Sequence, residues 1–524
     1  MKKQIMWLSL LSAAALFCAL AACTPKTPDS SDAESAESRV TTAAAETAAD
    51  QADSAEPTNG GEETTAPANS SAVSAAATTT KAQSGNSTQG GNVWGSRPRG
   101  TTAANVPKVI DMKGKTLTLG TKWITDWGNG DPGDSVIGDK WIAWRKNFEK
   151  TFNCKLKNLY VDPYMLFSSL STKLMSGDYV ADVITMQLFD VEAFRHAGLL
   201  QPLQSVPNLN LEHPAVQQQM VDNFTFGKNS YLYAYGLSSE VNGIYVNRDM
   251  VKELKLDDPF TLVNSKKWTY SVMDQMAQKA YKDLNHNNKI DSADRFGMSI
   301  GPDYTLGTLR VSGVKIITYQ NGTFSYTFNN AKTLKYLGAI KDSIKAGGRV
   351  YTGNDAMEKF VKGELLFMAG ASGIMASEKC KLWDADFDIG YLPCTPHEAG
   401  TTYTNSCSTW LGGLAIPKNT KQLTEIAYLI NAATEMTYSL QSESEKAMKK
   451  YMDKDSFALF MKYNTKYTVD AYCWQNQFKD LVKQKMDDTL FDTAVTPAKY
   501  IESIDSAMKN AVKDYYSKDP DLIE

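Results

Sequence analysis

From Thr24 to Asn105 the sequence contains no Leu, Ile, Met, Phe or Tyr, and Trp94 is the single aromatic residue of that stretch. Built of Ala, Ser, Thr, Glu, Asp, Gly and Asn, it has too little apolar surface to offset the entropy of ordering its backbone. It reads as a disordered tether of about 80 residues with a root-mean-square span of about 50 Å. Whatever folds must follow it, from about Val106 to Glu524. A segment of about 400 residues, aromatic-rich and of ordinary globular composition, is expected to form two lobes rather than one core. The formal net charge of −4 and the lack of basic runs argue against nucleic acid or an anionic membrane surface as partner.

Ahead of the tether, Lys2 and Lys3 precede an apolar run from Ile5 to Ala22, the pattern of an export signal. It ends Leu20-Ala21-Ala22-Cys23, with small residues before a cysteine. This resembles the bacterial lipobox. The resemblance implies a signal peptide over 1–22, cleavage before Cys23, and diacylglycerol on its sulfur. The chain would then be anchored to the cell membrane, facing outside the cytoplasm, since two or more acyl chains hold stably where one does not. About 18 apolar residues also suffice for an uncleaved membrane anchor, and either way the bulk of the chain lies outside. Of seven cysteines, Cys18 goes with the signal and Cys23 takes lipid. Among Cys154, Cys380, Cys394, Cys407 and Cys473, Cys394 and Cys407 are the nearest plausible bridge, and no pair has metal-ligand spacing.

The folded part opens with an alternation. Thr116–Gly120 reads as a strand and is followed by a Gly/Asp/Pro-rich loop. Ile137, Trp141, Trp144, Phe148 and Phe152 then form the stripe of an amphipathic helix. A strand over Lys155–Val161, a helix over Met165–Met175 and a strand over Ala181–Thr185 follow. This β-α-β-α-β order predicts a mostly parallel sheet covered by helices. In such sheets ligands gather at the carboxyl ends of the strands, so residues 123–127 and 186–189 are the ones to watch.

Further on, an aromatic strand, Tyr231 to Tyr235, is followed by Gly236-Leu237-Ser238-Ser239-Glu240 and then Tyr245-Val246-Asn247-Arg248-Asp249-Met250. That succession resembles the interlobe crossover of the family 1 extracellular solute-binding proteins, the binding components of ABC importers. The stretch from Asp258-Pro259 to Trp268, the step from Ala356 to Met368, Asp388 to Pro393, and Leu414 to Thr420 resemble that family in the same order. The resemblance implies a two-lobed α/β periplasmic-binding-protein-like fold of type II, each lobe a mostly parallel sheet flanked by helices. Crossings are expected near 236–240, 391–395 and 435–441. Lobe 1 would take about 106–235 and 393–435, and lobe 2 about 240–391 and 441–524. Function would be capture of a small solute, expected to be a sugar or oligosaccharide, for delivery to ABC permease subunits. One departure bears on the cargo. Where maltose-type relatives carry Asn-Gly-Pro-Trp, this chain has Ala369-Gly370-Ala371-Ser372, so a stacking ring would have to come from Trp383 or Trp410.

Sugars need flat rings for their C–H faces and polar side chains for their hydroxyls. Trp123, Asp126, Trp127, Gln187, Tyr235, Glu240, Ser372 and Trp410 are the candidates that the resemblance puts on cleft-facing loops. For each tryptophan core packing is the competing reading, and Tyr235 and Glu240 could be hinge residues. Trp141 and Trp144 share the helical stripe and belong to the core.

A separate loop, Asp283 to Asp294, places oxygen side chains at EF-hand spacing: Asp283, Asn285, Asn287, Asp291 and Asp294, with the Lys289 carbonyl at the seventh place. It is either a structural calcium loop or a solvated Asp/Asn turn. Asn288 in place of the sixth-position glycine, and Asp294 in place of glutamate, weaken the calcium pattern.

No catalytic motif appears: there are only four histidines, and neither a metalloprotease helix nor a G-x-S-x-G turn. A binding protein without enzymatic activity is expected. A glycan-binding adhesin or sensor, or a two-carboxylate glycoside hydrolase, are the competing classes.

Overall fold

The computed structural model describes residues 108–521 apart from 123–125, 134–135, 163–164, 237–240, 321–322, 377–380, 408–410, 465–466, 469–477, 479, 491–493 and 520. The leader, the tether and Cys23 lie outside the described residues. Among those described, no helix is long and apolar enough to cross a membrane.

The chain begins as expected, with β1 (Lys115–Thr121), α1 (Val136–Thr151), β2 (Cys154–Tyr160), α2 (Leu166–Met175), β3 (Val183–Gln187) and α3 (Leu188–His196). The stripe on α1 is a run of ring contacts. Trp144 stacks on Phe148 at 5.4 Å, Phe148 on Phe152 at 4.4 Å, and Phe152 meets Tyr428 at 5.9 Å. Its inner end is buried with Leu117, Leu119 and Leu156, while Trp141 and Trp144 stay half-buried against that cluster. Exposed Lys155 and Lys157 on β2 charge the outer edge of the sheet, which discourages pairing with other chains.

After a short hairpin, β4 (Thr225–Phe226) and β5 (Asn229–Ser230), the chain enters a second sheet. Its strands are β6 (Val241–Asn247), β7 (Phe296–Ser299), β10 (Val350–Tyr351), β11 (Leu365–Ala371), β12 (Ile389–Pro393), β13 (Asn405–Cys407) and β15 (Tyr467–Thr468). A hairpin of β8 (Ile317–Gln320) and β9 (Thr323–Tyr326) sits apart from it. The late strand β14 (Gly412–Ala415) returns to the first sheet, whose order is β14-β3-β1-β2.

Strand direction explains how the lobes are joined. β1, β2 and β3 are parallel, and β14 runs against β3. In the second sheet β6 runs against β11, β12 and β13, while every other pairing is parallel. Each sheet therefore has one reversed strand, and each is the strand on which the chain arrives from the other lobe. A chain that arrives at the carboxyl ends of the parallel strands must run the opposite way.

One boundary is corrected. The return crossing expected at 391–395 is not there: β12 and β13 both pair with β6 in the second sheet, so residues 393–407 belong to lobe 2. The chain goes back between Cys407 and Gly412. The crossing expected at 435–441 falls within one helix, unbroken from Leu423 to Tyr451, whose first half packs with the lobe 1 core and whose other end meets lobe 2. The expected Cys394–Cys407 bridge is not formed: Cys154, Cys394 and Cys407 are buried and hold no disulfide, and the Cys394 Sγ–H donates to the Asn242 carbonyl at 3.3 Å.

Candidate functional site

In the first sheet the order β2-β1-β3 means that the chain leaves β1 toward one side and reaches β3 on the other. Helices leave such neighbours in opposite directions and open a crevice at their carboxyl ends. That edge is also where β14 begins, as β6 does in the other lobe. The linkers there are short, from Gly236 to Val241 and from Cys407 to Gly412, and at roughly 3.5 Å per residue they keep the two edges close.

After β1 the chain turns tightly through Asp126–Gly128, with Trp127 at φ 59° and Gly128 at φ 70°. Two neighbours fix this turn. Asn158, on β2, donates from Nδ2 to the Asp126 carbonyl at 2.8 Å, and Arg145, on α1, donates to Asn158 Oδ1 at 2.8 Å and to the Trp127 carbonyl at 3.4 Å. Arg145 also donates to the Leu156 carbonyl. The Trp127 ring is only 8 % exposed and packs with the first-lobe core. The expectation that this ring faces solute is corrected: the left-handed turn carries it inward. Asp126 itself stays half-exposed.

Gln187 ends β3 and is fully buried, and neither its Oε1 nor its Nε2 has a partner. Thr121, at the end of β1, likewise has a buried hydroxyl without a partner. An amide buried without hydrogen bonds costs about 1–3 kcal/mol, so a pair of such groups at the switch point is a place prepared for a polar guest. Backbone approaches closely there: a Cβ at Gly412, the partner of Gln187, would lie 2.0 Å from the Met186 carbonyl oxygen.

Tyr235 is half-buried, with its ring 5.9 Å from that of Tyr233. Burial, then the neighbouring Tyr233 and Asp126, push its phenol well above the usual range, which places it near the Asp126 turn. On the other lobe Ser372 follows β11 and is buried, its Oγ accepting from the Val241 N–H at 3.3 Å. The structure thus brings Asp126, Gln187 and Tyr235 to the first-lobe edge and Ser372 to the second. Trp123, Glu240 and Trp410 lie outside the described residues. Sequence reasoning missed Thr121, Arg145 and Asn158. A polar Asn158 inside an otherwise apolar-alternating strand was the available signal.

In the Asp/Asn loop, the Asp283 carboxylate accepts from the Asn288 N–H at 2.9 Å, and its other oxygen is buried without a partner. Asn285 and Asn287 both direct their amides at Asp291, the closest contact being 2.6 Å. The Ala293 N–H, then the Asn287 and Asn285 amides, hold the Asp291 carboxyl below its ordinary pKa. Three of the expected positions, Asn285, Asn287 and Asp291, therefore converge, and the orphaned Asp283 oxygen nearby in the loop suits a hard cation. Asp294 is different: it is fully buried, and its carboxylate accepts from the Leu284 and Asp291 N–H groups and the Tyr281 hydroxyl. Among the described residues no group of three or more His, Cys, Asp or Glu side chains is placed to hold a metal.

Residues 143–443 match the model of a family described as bacterial extracellular solute-binding protein. No curated protein matches the chain. Solved structures that share its fold include an ABC substrate-binding protein of Listeria monocytogenes in complex with cycloalternan, at 14 % identity, covering 77 % of this chain and 100 % of that one with a TM-score of 0.55. The Listeria monocytogenes maltose-binding periplasmic protein, in complex with maltose, is 14 % identical over 76 % of this chain and 98 % of that one, TM-score 0.52. The galacto-N-biose-/lacto-N-biose I-binding protein of a Bifidobacterium longum ABC transporter, in complex with lacto-N-biose, is 12 % identical over 78 % of this chain and 98 % of that one, TM-score 0.54.

Proposed function

The chain belongs to the bacterial extracellular solute-binding protein family, and from that premise we propose that its solute is a sugar or oligosaccharide, held between the lobes and handed to an ABC permease. Family membership makes it a solute-binding protein working outside the cytoplasm. The observation that carries the carbohydrate reading is the pair of unpartnered groups at the β1/β3 edge, the Gln187 amide and the Thr121 hydroxyl. Both are neutral and can both donate and accept, which matches a hydroxyl-rich, uncharged guest better than an ion. Three sugar-bound proteins with this fold support the same reading. Asp126, Tyr235 and Ser372 would complete the contacts, with Trp123, Glu240 and Trp410 as further candidates. Solute favours the closed arrangement by its differential affinity for it, and the permease would read that arrangement.

The anchor is proposed to be lipid on Cys23, leaving the solute-binding part on the tether. A calcium ion of structural role is proposed in the Asp/Asn loop, held by Asp283, Asn285, Asn287, the Lys289 carbonyl and Asp291. Asp294, the expected twelfth-position ligand, would act there by bracing the loop.

Thermal unfolding against a panel of mono- and oligosaccharides, polyols and peptides tests the carbohydrate reading. Ligand at 100 times its dissociation constant stabilises by about 2.7 kcal/mol, a shift of several degrees. A shift with one sugar class and recovery of intact sugar supports it. A shift only with peptides or polyols, or release of a hydrolysed product, rejects it.

A further inference from the structure

The last described residues do not stay with the lobe they are built on. The C-terminal helix Pro497–Tyr516 packs on lobe 2: Tyr516 stacks on Phe324 of the β8–β9 hairpin at 3.7 Å, and Asp505 accepts from Asn329 at 2.8 Å. The segment after it reaches lobe 1 instead, at the far end of α3 from Gln187. There Arg195, fully buried, commits all five N–H groups. Two go to Glu192 at 2.7 and 2.9 Å, two to Asp519 at 2.6 and 2.8 Å, and one to Asp521 at 2.9 Å. The guanidinium lies 3.7 Å over the Phe226 ring. Asp521 also accepts from Tyr231 at 2.7 Å and Asn229 at 3.0 Å, both in or beside the β4–β5 hairpin of lobe 1. Beside this cluster the His196 ring stacks on Tyr515 at 3.6 Å.

We propose that Ser517–Asp519 together with Asp521 form a strap that joins the lobes independently of the chain crossings and limits how far they separate. The reasoning is from cost. Pulling the strap away would strip two carboxylates from a buried guanidinium, and a buried charge group that loses a partner is strongly destabilised. A motion that keeps the cluster intact is therefore favoured, with the strap on its axis. Because Gln187 immediately precedes the clamped helix α3 as its N-cap, the strap also holds the switch-point amide at a fixed distance from lobe 2. This goes beyond solute binding and does not depend on which solute is bound.

The test uses the full chain with a fluorophore pair introduced by unnatural amino acids at exposed Lys157 in lobe 1 and exposed Lys279 in lobe 2. Two strap variants are compared with wild type, without added solute. One is Asp519→Asn with Asp521→Asn. The other ends the chain after Lys518, which removes the carboxylates and the strap together and leaves Arg195 in a neutral pair with Glu192, so it keeps the experiment readable if the first fails to fold. Phe328→Leu, a change in the buried core of lobe 2, controls for lost stability. The expected result is a longer and broader interlobe distance in the strap variants and an unchanged one in the control. Wild-type distances in a folded strap variant, or equal broadening in the control, overturn the proposal.

Discussion

Asn158 donates its side-chain N–H to the carbonyl oxygen of Asp126 at 2.8 Å, tying the second strand to the turn that follows the first. With Arg145 donating to the same asparagine and to the next carbonyl, the two side chains reinforce a turn whose own backbone bond, from the Asn129 N–H to the Asp126 carbonyl, is long at 3.3 Å. Asn158→Ala should cost about 1 kcal/mol of stability, read by urea unfolding, and should lower solute affinity through a looser Asp126. Unchanged affinity in a folded variant would remove that turn from the site.

Gly128 sits at φ 70°, and a Cβ there would lie 2.3 Å from the Trp141 carbonyl oxygen. Backbone cannot yield as a side-chain tip can. Gly128→Ala should therefore lose about 3 kcal/mol. A loss under about 1 kcal/mol would mean that α1 shifts to make room.

Gln187→Leu separates binding from folding. Removing an amide that has no hydrogen bonds should raise the melting temperature by a few degrees, because its desolvation cost goes with it, while sugar affinity falls about tenfold, the equivalent of one lost hydrogen bond of about 1.4 kcal/mol. A large drop in melting temperature would show that the amide is bonded within the fold after all.

His397 lies flat on Tyr336 at 4.0 Å and against Tyr270 at 5.1 Å. Burial, then the Lys335 charge, push its pKa from 6.5 down to about 3. Between those values the unfolded chain takes up a proton that the folded one refuses. Stability from this group is fully present above pH 6.5 and falls as the pH drops toward 3, at up to about 1.4 kcal/mol per pH unit. His397→Phe should flatten this part of the profile of melting temperature against pH between 7 and 4. Parallel profiles for the two proteins would contradict the assignment.

Calcium should raise the melting temperature of the wild type, and Asp283→Asn, which removes charge from the orphaned oxygen, should reduce that gain. Equal response in the two proteins would reject the loop as the site.

The first lobe was legible because its signals are local. The α1 stripe, the turn after β1 and the alternation of strand and helix lie within one stretch of chain, and each element forms within two residues of its expected limits. The crossing after Pro393 was not legible, because Ile389–Pro393 reads as a strand whichever sheet receives it. Only pairing with β6 decides the matter, and β6 lies far away in sequence. Trp127 shows the same limit at the scale of one residue: the Gly/Asp-rich loop announced a turn, but not that its left-handed backbone would send the ring inward. Gln187 was legible by position, as the last residue of a strand at the switch point, whereas its lack of partners is visible only in three dimensions.

The unbroken helix Leu423–Tyr451 is about 43 Å long at 1.5 Å per residue. Its first half is embedded in the lobe 1 core through Ile426, Leu429 and Ile430, and near its other end Lys449 lies 4.8 Å over the Phe457 ring of lobe 2. A rod clamped at both ends has no free swivel, so any rotation of one lobe against the other must bend it. Ser439→Pro at an exposed mid-helix position should relieve that resistance and widen the spread of lobe angles in small-angle scattering, and an unchanged spread would count against a bending rod. The restoring torque of the bent helix then draws the lobes back toward the arrangement in which the rod is straight.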